Sequence, residues 1–197
     1  MNTASNLEQI NELRLWGMAR SYEAVLQLPV HQLPTTHEIV AQLAQAEHLH
    51  RKDLRTQAFL RNARFRYKAS VEELHYSAKR NLDKGQMLAL ADCGYIQRSE
   101  NIVITGATGC GKSFVAAALG NQACLLGYKV RYFNMNKLAQ TIFRAKADGS
   151  FARELLRMEK QQLLILDDFG ICPMDNEMKL ALCLHTASFI ASITSKS

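Results

Sequence analysis

Residues 106–113 read GATGCGKS and fit the spacing G-x-x-x-x-G-K-[ST] in full. Residue types in that order suit one task, the cradling of a polyphosphate. Gly106, Gly109 and Gly111 let the backbone take positive φ and turn its N–H groups inward, with Ala107, Thr108 and Cys110 completing the loop. Lys112 is then placed to reach the β- and γ-phosphates of a nucleoside triphosphate, and Ser113 offers a hydroxyl to Mg²⁺. A second motif supplies what the first lacks, because the apolar run Leu163-Leu164-Ile165-Leu166 ends in Asp167-Asp168. Asp167 is the expected metal-side carboxylate. Asp168 reads either as a base that polarises an attacking water or as a carboxylate capping the loop at Phe169-Gly170. The expected ligands are ATP and Mg²⁺, with Lys112 and Asp168 as the candidate catalytic pair. Cys110 has two readings: a loop thiol whose oxidation competes with ATP, or a packing residue. His185 and the N-terminal histidines lack metal-ligand spacing.

These groups meet only if the loop leaves a strand and opens a helix. Asn101 to Thr105 (NIVIT) is a short β-branched run suited to a buried parallel strand, and a helix is expected from Lys112 to Leu126, stopped by Gly127. Further strands are expected at 129–133 and 163–167, with helices at 137–147 and 152–160. Strand and helix alternate, which argues an α/β layer with a parallel sheet. No element is assigned to residues 183–197.

The first half follows a different pattern. Leu7, Ile10, Leu13 and Trp16 recur at helical spacing and predict one amphipathic helix running towards Leu28; Thr36 is the expected cap of a second, with Ile39, Val40, Leu43 and Ala46 on one face. Residues 71–98 supply a further helix or two. Between Arg51 and Lys68 seven basic residues face one acid, Asp53, with Phe59, Phe65 and Tyr67 interleaved. Glu47, Arg51 and Arg55 share one side of a helix, so they pair internally, leave guanidiniums outward, or do both. Arg51, Arg55, Arg61 and Arg64 are the candidate contacts to a phosphate backbone, and a solvated helix face is the plainer reading. A formal net charge of +6 favours an acidic partner such as nucleic acid.

Apolar residues make up 48% of the chain and prolines only three, so a folded protein is expected rather than a disordered one. Five cysteines, an odd number without a C-x-x-C pair, read as reduced thiols. There is no apolar run long enough to span a membrane and no signal-peptide pattern, so the expected location is the cytoplasm. The resulting division is a basic helical domain over 1–70, a helical connector over 71–100, a phosphate-loop core over 101–182 and an aberrant tail over 183–197.

The residues resemble the IstB-like ATP-binding proteins, helper ATPases of insertion-sequence transposition related to DnaC-type helicase loaders. The resemblance rests on LRLWGMARSYE at Leu13 to Glu23, on Glu47, Arg51 and Arg55 with RNARF at Arg61 to Phe65, on GATGCGKS, on ALGNQACLLGYKV at Ala118 to Val130, and on LLILDDFG at Leu163 to Gly170. It implies an AAA+-type P-loop NTPase with a parallel sheet behind a small all-helical domain. It also implies ATP-dependent homo-oligomers on double-stranded DNA that stimulate or direct the transposase of the same element. Asp168 stands where AAA+ proteins more often have glutamate. After MDNEMKLAL the tail CLHTASFIASITSKS departs from the family, and a shortened or frameshifted core is expected, incomplete at its C-terminus and impaired in hydrolysis. A DnaC-like helicase loader is the alternative. A small-molecule kinase also uses a phosphate loop but leaves the basic half unexplained, and a DNA-binding remnant that retains nucleotide without turnover is a third possibility.

Overall fold

The structure is a computed structural model that describes residues 3–76, 82–169 and, as backbone, 188–192. Cys172, Cys183, His185 and Gly170 lie outside the described residues. The chain divides into two compact units, Met1–Gln57 and Ala58–Ser197.

In the first unit the expected single helix is two: α1 (Thr3–Glu12) and α2 (Trp16–Leu26). Arg14 adopts left-handed φ of 57° between them. The Leu15 N–H bonds back to the Ile10 carbonyl and the Arg14 N–H to that of Asn11, the paired bonds that close a helix C-terminus. An arginine holds the position that glycine usually marks, which hides the break from pattern reading. Helix α3 (Thr36–Ala63) starts with a reciprocal cap. Thr35, rather than Thr36, accepts the Glu38 N–H through its hydroxyl, and the Glu38 carboxylate accepts the Thr35 N–H at 2.7 Å. Val40 is turned to solvent (61% exposed), off the half-buried face of Ile39, Leu43 and Ala46.

Helices α2 and α3 meet at Gly17, where a Cβ would stand 2.5 Å from the Ala46 carbonyl oxygen and 2.8 Å from the Glu47 Cα. Leu15, at the N-cap of α2, offers no side-chain acceptor. Glu47 supplies it from α3, accepting the Gly17 N–H at 2.9 Å and the Met18 N–H at 3.2 Å on one carboxylate oxygen, while the other takes Arg51 Nε at 2.7 Å. A buried anion thus caps the positive end of a helix distant in sequence.

In the second unit, residues 71–76 form turns rather than the expected helix. Val71 and Leu74 are buried there and the Glu73 carboxylate accepts the Ser70 N–H, which spends on a turn the groups a helix would use. Residues 77–81 lie outside the described part. Helix α4 (Lys84–Ala91) is capped by Asp83, and α5 (Gly94–Gln97) follows. Then come β1 (Ile102–Ile104), α6 (Lys112–Leu125), β2 (Val130–Asn134), α7 (Met135–Ala147), α8 (Phe151–Glu159), β3 (Leu163–Phe169) and β4 (Ser188–Ser192). The strands are parallel in the order β1-β4-β3-β2. Ser188–Ser192, where the pattern assigns no element, is a central strand.

Alternation along β2 and β3 sorts their side chains between two cores. Val130, Tyr132, Leu163 and Ile165 join the buried stripe of α6, from Val115 to Cys124. Leu164, Leu166 and Phe133 join Leu138 and Ile142 of α7 and Met158 of α8. The result is an α/β/α layering in which α6 lies on one face of the sheet and α7 with α8 on the other.

Candidate functional site

The chain from β1 enters the GATGCGKS loop and leaves it through α6. Gly109 and Gly111 take left-handed φ of 80° and 92°, and Gly111 is the N-cap of α6, so the loop lies at a positive helix end, with the Cys110 N–H bonded to the Ala107 carbonyl at 3.3 Å. A Cβ on Gly106 would meet Cys110 Sγ at 2.9 Å, and one on Gly109 would meet nothing within 4 Å. The concavity is therefore narrow at Gly106, while Gly109 is needed for its dihedral angles alone. Lys112 Nζ donates to the carbonyls of Gly106 at 2.7 Å and Ala107 at 2.9 Å, so the ammonium lies over its own loop.

The two motifs meet through one hydrogen bond: Ser113 Oγ donates to Asp167 Oδ1 at 2.8 Å, across 54 residues of sequence. Close packing of α6 on β3 sets this distance, since a Cβ at Gly120 would come within 2.5 Å of Ile165 Cδ1. Asp167 is only 2% exposed. Its Oδ2 accepts a short hydrogen bond from the buried Tyr132 hydroxyl and has Arg66 Nη1 at 3.8 Å. Burial pushes the Tyr132 phenol up, and donation to the Asp167 charge pushes the same way. The phenol is therefore a fixed donor.

Asp168 adopts left-handed φ of 59°, where the β3/β4 register shifts between Asp167 and Phe169. The bulge swings its carboxylate towards β2, where Asn134 Nδ2 donates to Oδ2. Asp167 and Asp168 are thus held by different residues of the neighbouring strand. The residue types of Tyr132, Asn134 and Arg66 do not mark them as site residues. Only the adjacency of β2 to β3, which pairs Asn134 with Asp167, reveals the first two.

Of the candidate DNA contacts, Arg51 and Arg55 belong to the first compact unit and Arg61 and Arg64 to the second. Arg51 is the residue paired with Glu47. All four are exposed.

Cys110 is exposed, whereas Cys93 and Cys124 are buried. Burial raises the Cys93 thiol and pushes Cys124 up to about 12. Iodoacetamide is therefore expected to modify Cys110 about a hundredfold faster than either, read by peptide mass spectrometry. Equal rates at the three thiols would contradict the burial that separates them.

The sequence matches the IstB-like ATP binding protein family over residues 8–189. The chain belongs to the IstB-like family. Among its relatives, the ATP-binding protein of insertion sequence IS1162 from Pseudomonas fluorescens is 35% identical over 180 residues, 91% of this chain and 78% of the relative. An insertion-sequence ATP-binding protein of Sinorhizobium fredii, y4pL, is 31% identical over 173 residues, 88% of this chain and 71% of the relative. In fold, this IstB-like chain is similar to AMPPCP-bound DnaA from Aquifex aeolicus, with TM-score 0.57, 20% identity and 66% of this chain covered. It spans only 43% of that DnaA chain. The DnaC helicase loader gives TM-score 0.51 at 15% identity, over 66% of this chain and 80% of the loader. These likenesses establish an AAA+-type P-loop fold. Among the described residues, no helix is long and apolar enough to cross a membrane.

Proposed function

We propose that this IstB-like chain is an ATP-dependent helper of insertion-sequence transposition that binds ATP and Mg²⁺ at residues 106–113 and Asp167. The observation that carries the reading is the Ser113–Asp167 hydrogen bond, which joins the phosphate loop to a buried carboxylate. Because Ser113 gives its proton to Asp167, the lone pairs of its oxygen are left for a cation. Hydroxyl and carboxylate oxygens are the donor set a hard cation takes, and a glycine loop that ends at the N-cap of α6 suits phosphate. Mg²⁺, when bound, neutralises charge on the β- and γ-phosphates. Loop N–H groups hold the phosphate oxygens, and the Lys112 ammonium adds charge beside them. Tyr132 keeps Asp167 from rotating. Asp168, oriented by Asn134, is the group that takes a proton from an attacking water.

The insertion-sequence relatives, at 35% and 31% identity, favour transposition over helicase loading; the DnaC likeness is one of fold. In this reading the chain works in the cytoplasm as a homo-oligomer on double-stranded DNA, beside the transposase of its own element, with Arg51, Arg55, Arg61 and Arg64 among its phosphate contacts.

Steady-state hydrolysis with and without duplex DNA tests the enzyme claim, and Asp168→Asn is expected to lower the rate about a hundredfold or more. A wild-type rate no higher than that of the variant would sink it. Duplex affinity is expected to fall linearly with salt on logarithmic axes, and each arginine to alanine change that removes a phosphate contact reduces the slope by about 0.9. Salt-insensitive binding would count against the DNA assignment.

A further inference from the structure

A cavity of about 550 Å³ lies among the end of α3, the start of β2 and the helices α7 and α8. Lys129 and Arg131 enter it from the beginning of β2, and Lys160 from just before β3. It therefore stands at the amino ends of the parallel strands, whereas the phosphate loop and Asp167 stand at the carboxyl ends. Nothing in the proposed ATP chemistry uses it.

Its charge is one-sided. Arg64, Lys129, Arg131, Arg157 and Lys160 line it against a single acid, Glu154, whose Oε1 is already taken by Arg157 Nη1 at 2.5 Å. Burial lowers the Arg131 guanidinium, the charges of Arg64 and Arg157 act in the same direction, and Glu154 opposes them. The positive field in the cavity is thus left largely uncompensated by the protein itself. The wall behind the cations is apolar: Phe133, Leu138 and Met158 face it, and these residues also pack the α7–α8 core. The Arg131 guanidinium lies 5.6 Å from the Phe133 ring centroid. That face is covered, and a nucleic-acid base gains no stacking platform there.

We propose that this cavity is a docking site for an acidic segment of a partner polypeptide, with carboxylates on the cationic rim and an aliphatic side chain against the Phe133–Met158 wall. Charge complementarity selects an anion, and the apolar wall selects a peptide, whose aliphatic side chains reach further than the sugar methylenes of a phosphodiester. The assignment does not depend on the ATP reading, because the site shares no residue with the phosphate loop or with Asp167; with the proposed DNA contacts it shares Arg64 alone.

The test is selection of a random-peptide phage library on the whole chain, followed by fluorescence polarisation with the winning peptide. Enriched sequences are expected to carry Asp or Glu around an aliphatic residue. The winner should bind about tenfold more weakly to Arg131→Ala and about a hundredfold more weakly to the double variant Arg157→Glu, Lys160→Glu. Arg131 also donates to the Asn62 carbonyl, so the double variant, whose folding is checked by circular dichroism, covers the case in which Arg131→Ala unfolds. An enriched set without acidic residues, or a winner indifferent to the double variant, overturns the proposal. So does displacement of the peptide from an Arg64→Ala variant by a thymidine oligonucleotide, which would make the surface one for nucleic acid without the proposed DNA contact.

Discussion

Lys112→Ala is expected to weaken ATP binding roughly tenfold to a hundredfold while leaving the melting temperature of the nucleotide-free protein nearly unchanged. The reason lies in where the ammonium spends its bonds. Its partners are two carbonyls of an exposed loop, at 2.7 and 2.9 Å, and neither belongs to the core. Removing the amine returns those carbonyls to water, a surface change worth within about 0.5 kcal/mol. Losing a charge-assisted contact to phosphate costs about 1.5–3 kcal/mol, which sets the expected fold-change. Ser113→Ala separates the two halves of the site, because it removes the hydroxyl proposed to meet Mg²⁺ and leaves the ammonium in place. Its loss of affinity should disappear when ATP is titrated without Mg²⁺, and that of Lys112→Ala should persist. Isothermal titration of both variants makes the comparison. Equal affinity of Lys112→Ala and wild type would remove the loop from the ATP reading.

Gly17→Leu is expected to unfold the N-terminal helical unit. The added side chain starts 2.5 Å from a backbone oxygen of α3, and backbone yields less readily than a flexible side chain. Overpacking of this kind costs about 1–3 kcal/mol where neighbours can move, and here the helices must part. Glu47→Ala attacks the same junction from the other side: it orphans the Gly17 N–H and strips Arg51 of its partner, at about 2–3 kcal/mol. Gly85→Ala is the control, since in α4 its Cβ meets only the Asp83 carboxylate, at 3.2 Å. Hydrogen exchange within residues 3–57 reads all three. Burial alone would raise the Glu47 carboxyl, but the Arg51 bond and the Met18 and Gly17 N–H groups outweigh it and hold the group below its ordinary value of 4.5. Its contribution is therefore complete above the unfolded-state value and is lost as pH falls from there through the folded-state value. Glu47→Gln should flatten the acid limb of the stability profile; an unchanged limb would mean other carboxylates govern it.

What could be read from sequence follows the range of the interactions involved. β1, α6, β2, α7, α8 and β3 fall within a residue or two of their expected bounds, because apolar spacing, Gly127 and the phosphate-loop glycines act locally. The meeting of Ser113 with Asp167 was also legible, since two motifs of fixed chemistry require each other. Tyr132 and Asn134 were not, because their importance comes from strand order, and no local signal in VRYFN says that β2 lies beside β3. Glu47 invited an i,i+4 pairing with Arg51, which it makes, yet its role as a cap for α2 depends on how two helices cross. Arg14 misled for a different reason: the backbone geometry is the ordinary one for a helix end, and only the residue type is unusual.

The place of β4 bears on the order in which the protein becomes competent. β1 pairs with β4, and β4 also pairs with β3, so the strand that leads into the phosphate loop joins its sheet through residues 188–192. On the ribosome, the loop, α6 and the Asp167 strand all emerge before the segment that lies between them. Such non-local pairing is slow to form and leaves strand edges open in the interval. A translational pause ahead of residue 188 therefore yields a nascent chain with both motifs already made and no strand between them, the stage at which a chaperone has most to protect.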